Sequence, residues 1–169
     1  MEYRILGPLE VVDGDRLVAL GGPKQRAVLA MLLLEVGRVV SVDRLIDGVW
    51  GDEAADGAPA TLQVYISNLR KVLEPAKGEH TVLIGRRPGY LLDLDPDSVD
   101  AVRFERLLAE ARKDLVDERY GNAARQFAQA LATWRGLPLA DVPLETFAAP
   151  EINQLTEARV AALEDQVEA

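Results

Sequence analysis

The sequence predicts an α+β amino-terminal half and an all-helical second half, and three observations lead to this prediction. Short apolar segments separated by glycine and aspartate turns indicate an antiparallel sheet near the amino terminus. Three helical segments and a glycine-bounded hairpin follow. Beyond an acidic linker over residues 93–100, the pattern is helical to residue 167. We therefore expect two domains, one over residues 1–94 and one over residues 97–169.

The opening sheet is predicted from apolar segments at residues 3–6, 9–12 and 17–20. Asp13-Gly14-Asp15 is typical of the turn between the second and third strands. Pro23 suits the first position of a helix, which is predicted over residues 24–36 and ended by Gly37. The continuous apolar middle of this helix implies burial on most of its sides.

Two further helices and a hairpin complete the amino-terminal half. Ser41 is a favourable N-cap for a helix over residues 42–50, and Pro59 opens a third helix that extends to about Glu74. Two strands, predicted over residues 81–84 and 90–94, are joined by Gly85-Arg86-Arg87-Pro88-Gly89. Sheet, three helices and hairpin is the order of a winged helix-turn-helix with an additional amino-terminal sheet.

The third helix has two chemically different sides. An apolar stripe at helical spacing predicts a buried side, formed by Leu62, Ile66, Leu69 and Leu73. The opposite side carries short or polar side chains, at Ala60, Val64, Ser67, Asn68 and Lys71. Asparagine and serine can hydrogen-bond base edges and valine can contact a thymine methyl group, so this side suits a major groove. An ordinary solvated helix face is the structural alternative.

Charge is distributed unevenly along the chain. The formal net charge of −9 disfavours binding to DNA phosphates. Residues 59–92, however, hold five cations against two anions, whereas residues 97–169 hold eight cations against fourteen anions. Arg86 and Arg87 lie at the predicted hairpin tip, where guanidinium groups can enter a minor groove. The distribution favours a local nucleic-acid face, although a solvated hairpin tip would have the same composition.

Several segments resemble one family of regulators. TLQVYISNLRKVLE at 61–74 and GRRPGYLL at 85–92 resemble the recognition helix and wing of OmpR-type DNA-binding domains. YRILGPLEV at 3–11 and KQRAVLAMLLL at 24–34 are similar to the Streptomyces antibiotic regulatory protein family of activators. ALATWRGLPLADV at 130–142 resembles the start of that family's bacterial transcriptional activator domain. The resemblance covers essentially the whole chain.

The resemblance implies roles for individual side chains. Base reading in the major groove is implied for Gln63, Val64, Ser67 and Asn68. Phosphate contacts are implied for Thr61, Tyr65, Arg70 and Lys71, and minor-groove entry is implied for Arg86, with Arg87 beside it. The amino termini of the first two helices are further phosphate candidates, at Lys24, Arg26 and Ser41. OmpR-type helices often carry arginine where this chain has Ser67 and Asn68, which predicts a weaker salt dependence.

The carboxy-terminal half is predicted to contain helices over residues 101–117, 122–135 and 146–167. By the resemblance it forms tetratricopeptide-like helical hairpins. Ala123, Phe127 and Ala130 have the small-large-small spacing of the second helix of such a repeat. The resemblance implies more helices than the chain contains, so we expect an incomplete activator domain, in a truncated or a naturally short member of the family.

The implied function is transcriptional activation by a homodimer that binds promoter direct repeats and recruits RNA polymerase. The main alternative is a protein-interaction module whose winged helix does not read DNA, and the net charge favours it. We expect no enzyme, no catalytic residue, no metal and no cofactor, because no nucleophile–base pair, metal cluster or phosphate loop is present in the sequence. The absence of cysteine, of a signal peptide and of a membrane-length apolar run predicts a cytoplasmic protein with no membrane partner.

Overall fold

The computed structural model of the protein describes residues 1–74, 78, 80–143 and 148–169. Among these residues, two small antiparallel sheets and three helices form the first half, and three further helices form the second. Short 3-10 turns lie at Gly51–Glu53 and Pro96–Ser98. The other elements, in chain order, are β1 (Glu2–Arg4), β2 (Glu10–Asp13), β3 (Arg16–Leu17), α1 (Pro23–Leu34), β4 (Val40–Ser41), α2 (Val42–Trp50), α3 (Ala58–Leu73), β5 (Leu83–Arg86), β6 (Gly89–Leu92), α4 (Asp100–Val116), α5 (Tyr120–Ala132) and α6 (Ala149–Glu168).

The two sheets have simple topologies. In the first, β2 lies between β1 and β3, with Tyr3 opposite Val11. In the second, β6 lies between β4 and β5. The strand before α2, β4, therefore pairs with the second strand of the β5–β6 hairpin. This pairing attaches the hairpin to the helix-turn-helix core, as expected for a winged helix.

The three helices of the first half confirm most of the sequence predictions. α1 is buried on nearly every side, with residues 27–33 at most 2% exposed, and it ends at Leu34, two residues earlier than predicted. α2 has the predicted bounds, and the hydroxyl of Ser41 accepts a hydrogen bond from the N–H of Arg44 at 3.1 Å. The predicted apolar stripe of α3 is buried, at Leu62, Ile66, Leu69 and Leu73.

The first strand is shorter than predicted because a carboxylate from the second half takes its last backbone donors. The N–H groups of Ile5 and Leu6 donate to the two oxygens of Asp100 at 2.8 and 3.0 Å. The N–H of Leu9 donates to Asp141 at 2.8 Å. Residues 5–9 therefore form no ladder, yet these three buried N–H groups are satisfied.

Asp100 corrects the predicted linker. Residues 93–100 were expected to form a solvated acidic connection, but Asp100 is only 1% exposed and begins α4. Burial raises the pKa of Asp100 above its ordinary value, although the N–H groups of Ile5 and Leu6 act in the opposite direction. The residue joins the two halves instead of separating them.

The other strands also differ from prediction for local reasons. β3 contains only Arg16 and Leu17, although the N–H of Val18 still donates to the carbonyl of Val11 at 2.8 Å. The hairpin strands lie closer to the tip than predicted, because the side chain of Glu74 accepts from the N–H groups of residues 81–83 at the hairpin base. Those groups are therefore bonded to the end of α3.

The second half is a helical hairpin followed by a long helix. α4 and α5 are antiparallel, and the rings of Phe104 and Trp134 meet edge to face at 5.3 Å between centroids. Ala123, Phe127 and Ala130 are fully buried, as predicted for the contact face of α5. α6 packs on this pair, but its predicted start at Thr146 lies outside the described residues. Among the described residues, no helix is both long enough and apolar enough to cross a membrane.

Asp100→Ala tests the connection between the halves. The substitution leaves the N–H groups of Ile5 and Leu6 buried without an acceptor, at about 1–3 kcal/mol for each group. We expect the free energy of unfolding in urea to fall by about 2–6 kcal/mol at neutral pH. Asp93→Ala removes an exposed carboxylate nearby and should change it by less than about 0.5 kcal/mol. Equal unfolding midpoints for the two variants would contradict this role.

Candidate nucleic-acid interface

The outward side of α3 presents the side chains expected to read bases. Gln63, Val64, Ser67 and Lys71 are exposed, and Val64 is 54% exposed although it is apolar. α3 carries two cations and no acidic residue over its whole length. Thr61 is half-buried, and its hydroxyl donates to the carbonyl of Gly57 at 3.1 Å. This side is therefore a convex, weakly basic ridge.

Asn68 differs from the other residues of the ridge because a side chain of α1 holds it. Its Nδ2 donates to Oε1 of Gln25 at 3.2 Å, and the residue is half-buried. Gln25 itself is buried, and its Nε2 donates to the carbonyl of Leu20 at 2.9 Å. Gln25 was not among the residues predicted for the site. The available signal was an uncharged amide between two cations in the first turn of an otherwise apolar helix.

An aromatic pair connects the start of α1 to α3. Tyr65 stacks on Trp50, with nearly parallel rings and 5.9 Å between the ring centroids. The ammonium group of Lys24 lies 5.6 Å from the centre of the Trp50 ring. Lys24 and Tyr65 also border one shallow cleft, together with Gly22. The amino terminus of α1 therefore lies beside the ridge, and Trp50, absent from the predicted site, supports both residues.

The wing is attached to α3 by Arg70. Its Nε donates to the carbonyl of Leu83 at 2.9 Å, and its guanidinium lies 5.9 Å from the centre of the Tyr90 ring. Arg70 therefore orients the hairpin through Nε, and its predicted contact with phosphate stays a prediction. Arg86 and Arg87 are exposed at the hairpin tip, as the sequence predicted.

The hairpin tip lies against the start of α2. A Cβ atom on Gly89 would come within 1.8 Å of the carbonyl oxygen of Val40, so only glycine permits this close pairing of β4 and β6. The N–H of Val42 donates to the carbonyl of Pro88 at 3.1 Å. The hydroxyl of Ser41 caps α2, so Ser41 lies next to the wing but already has a backbone partner.

Arg26 is the one predicted phosphate contact that points away from this surface. Its guanidinium donates to the carbonyl of Leu9 at 2.9 Å and pairs with the carboxylate of Asp141. Asp141 also accepts from the N–H of Leu9. Arg26 is thus part of the contact between the two halves, and we leave it out of the interface.

Glu74 stabilises the base of the wing. Partial burial opposes ionisation of its carboxyl, but hydrogen bonds from the N–H groups of Leu83, Val82 and Thr81 outweigh this effect and lower the pKa of Glu74. The ionised side chain therefore joins the end of α3 to the start of the hairpin. In the part of the chain that the structure describes, no cluster of three or more His, Cys, Asp or Glu residues could hold a metal ion.

A three-helix core, with an exposed third helix and a β-hairpin beside it, defines the winged helix-turn-helix class. Residues 16–92 match the family described as "Transcriptional regulatory protein, C terminal", and residues 99–169 match the "Bacterial transcriptional activator domain". The protein belongs to the Streptomyces antibiotic regulatory protein family, whose members are transcriptional regulators and not enzymes.

Named relatives support this assignment. Regulatory protein DnrI of Streptomyces peucetius is 36% identical over 174 residues, covering 99% of this chain and 64% of DnrI. Transcriptional regulatory protein EmbR of Mycobacterium tuberculosis is 36% identical over 170 residues, covering 100% of this chain and 44% of EmbR. A solved structure of EmbR, in complex with a low affinity phosphopeptide, superposes with a TM-score of 0.94 over 99% of this chain. The chain thus spans 44% of the length of EmbR and 64% of the length of DnrI.

Glu74→Gln should change how stability depends on pH. In the unfolded chain this carboxyl has its ordinary pKa of 4.5, and the folded-state value is lower. Its ionisation therefore stabilises the folded state above pH 4.5, and the contribution is lost as the pH falls through the folded-state pKa. We expect the wild type to exceed Glu74→Gln in free energy of unfolding at pH 7 and the difference to shrink below pH 4.5. Glu105→Gln, at an exposed position of α4, is the control, and a difference that grows on acidification would refute this account.

Proposed function

We propose that this protein is a sequence-specific transcriptional activator that places α3 in the major groove of promoter DNA and its wing in the adjacent minor groove. The observation that carries the proposal is the continuity of the exposed surface. The acid-free ridge of α3 adjoins Trp50, over which Lys24 lies, and it also contacts β5, whose last residue is Arg86, with Arg87 next in the chain. A helix fits a major groove about 12 Å wide, and arginine is favoured in narrow minor grooves.

The side chains of the interface divide into two groups, those proposed to contact bases and those proposed to contact phosphates. Base contacts are proposed for the exposed ridge and its half-buried edge, at Gln63, Val64, Ser67 and Asn68. Phosphate contacts are proposed for residues at its margins, at Lys24, Ser41, Thr61, Tyr65 and Lys71. Arg70 acts mainly by orienting the wing.

The ion pairs of the structure favour this location for DNA. Within the second half, Arg103, Arg106, Arg112, Arg119 and Arg135 each pair with a carboxylate. By contrast, Lys24, Lys71, Arg86 and Arg87 pair with no carboxylate of the described residues. Arg16, Lys113, Arg125 and Arg159 also have no carboxylate partner among the described residues, but only the proposed interface places several such cations beside an acid-free helix. These interface cations are available to neutralise phosphates, and the acidic second half disfavours other orientations on DNA.

The larger assembly is part of the same proposal. We propose tandem protomers on direct repeats spaced by about one helical turn, roughly 10–11 base pairs. The DNA-binding domain would comprise residues 1–94, and residues 97–169 would contribute to the recruitment of RNA polymerase. A cytoplasmic protein without catalytic activity or cofactor is proposed on the same basis.

Arg86→Ala should weaken binding to specific and unrelated duplexes alike. A wing arginine in the minor groove contributes charge and little sequence information, so the slope of log K against log salt should fall by about one. The measurement is fluorescence anisotropy with a selected promoter fragment and a scrambled duplex, over a salt series. Arg125→Ala, at an exposed position of α5, is the matched control and should leave both slopes unchanged.

The same titration separates DNA binding from its rival. A protein-interaction module would show no salt-dependent affinity for any duplex, and that result with the wild-type chain would reject the proposed function. An unchanged slope for Arg86→Ala alone would reject only the position of the wing.

Asn68→Ala should relax discrimination at one base step while leaving most of the affinity. Loss of a base-edge contact costs about 1–3 kcal/mol at the position that the side chain reads. Selection from a randomised duplex library, followed by footprinting, measures this preference at each base pair. An equal loss of affinity for all sequences would show that Asn68 does not read bases.

A further inference from the structure

We infer that Gln25 is a positioning residue that fixes which amide atoms Asn68 presents to DNA, and that it thereby sets a preference for adenine at one base pair. The inference rests on the proposed function, since it specifies how one residue of the ridge reads a base. Gln25 is only 8% exposed, so it acts through Asn68.

The orientation of the Gln25 amide is determined by a backbone carbonyl. The oxygen of Leu20 can only accept a hydrogen bond, and it lies 2.9 Å from Nε2 of Gln25. The reverse orientation would place Oε1 against the carbonyl oxygen and leave two acceptors in contact. The nitrogen of Gln25 must therefore face Leu20, and Oε1 must face the other way.

The fixed orientation of the Gln25 amide also fixes the orientation of the Asn68 amide. Oε1 of Gln25 can only accept, and its partner at 3.2 Å is Nδ2 of Asn68. An amide rotated by half a turn would bring two oxygens together, so the amide of Asn68 also has one allowed orientation. One Nδ2 hydrogen is used, and Oδ1 and the second Nδ2 hydrogen remain for a ligand.

Gly21 provides independent support for this chain of hydrogen bonds. Its φ of +86° lies in the region that favours glycine, and a Cβ atom built on it would lie 2.5 Å from Nε2 of Gln25. Backbone without a side chain therefore passes directly against the Gln25 amide. The turn before α1 therefore packs against the Gln25 side chain and restricts the movement of its amide group.

The remaining atoms of Asn68 define the base that it can read. An acceptor beside a donor matches the N6 amino group and N7 of adenine, which present a donor beside an acceptor. Without Gln25, the side chain could rotate and present other combinations, so discrimination would weaken without loss of phosphate contacts. The expected base is adenine at the step that loses discrimination in Asn68→Ala.

The first experiment measures the amide of Asn68 by NMR in the wild-type chain without DNA. One of its two Nδ2 protons should exchange with water at least about fivefold more slowly than the side-chain protons of exposed Asn153. Exchange at the rate of Asn153 for both protons would overturn the inference. This measurement is independent of DNA binding, so it also separates the inference from the proposed function.

The second experiment compares three glutamine variants in selections from a randomised duplex library. Gln25→Met keeps the volume but has no acceptor for Asn68, and the adenine preference should fall about fivefold at one base pair only. Gln25→Glu still offers an acceptor to Asn68 but, when ionised, places a second acceptor against the carbonyl of Leu20, so its side chain is no longer anchored and the adenine preference should fall as in Gln25→Met. Gln129→Met, at an exposed position of α5, is the matched control and should select the same sequences as wild type.

The outcomes distinguish the two levels of the argument. Failure of the wild type to select any sequence rejects the proposed function, whatever the amide measurement shows. Wild-type selection with a change in Asn68→Ala but none in Gln25→Met overturns the positioning role alone. A loss of affinity for all sequences in both variants, with the adenine preference kept, also overturns it, because that is the effect expected of a purely structural glutamine.

Discussion

Two carboxylates of the helical half complete the backbone hydrogen bonding of the winged-helix half. Asp100 accepts from Ile5 and Leu6, and Asp141 accepts from Leu9. Without these acceptors the segment after β1 would hold buried, unpaired N–H groups, which structures rarely tolerate. The helical half is therefore part of the fold of the first half, and a continuous apolar core extends through both.

This connection also determines how α1 can present the interface. α1 is covered on nearly every side, and Arg26 at its start is bound to Leu9 and Asp141. The first turn of α1 is thus held from the side of the helical half. Its other polar residues, Lys24 and Gln25, then face Trp50 and Asn68 at the ridge. A contact between the halves and a contact at the interface therefore share one helical turn.

The charges follow the same division. The whole chain is anionic, yet five of the seven arginines of the helical half are paired with its own or neighbouring carboxylates, whereas Lys24, Lys71, Arg86 and Arg87 around α3 and the wing pair with none of the described ones. A strongly basic protein would bind any duplex, because phosphate neutralisation carries no sequence information. A local basic surface on an anionic molecule limits that affinity and leaves more of the discrimination to base contacts.

Sequence periodicity determined most of the helical fold and the two sides of α3. The stripe from Leu62 to Leu73, the cap at Ser41 and the contact face around Phe127 are local patterns, and each has the predicted place in the structure. Strand ends were predicted less well, because side chains remote in sequence, such as Asp100, take backbone groups that a ladder would otherwise use.

The individual roles of polar residues were decided only by the tertiary structure. A sequence shows that Arg26, Arg70 and Asn68 are polar and placed on helices, but it does not show their partners. Arg26 pairs with Asp141, Arg70 bonds the wing, and Asn68 bonds Gln25. Each partner lies at a distance in sequence that local periodicity does not encode. Composition and spacing specify which face of a helix is buried, whereas the partner of a buried donor depends on which distant acceptor the fold brings within 3 Å or so.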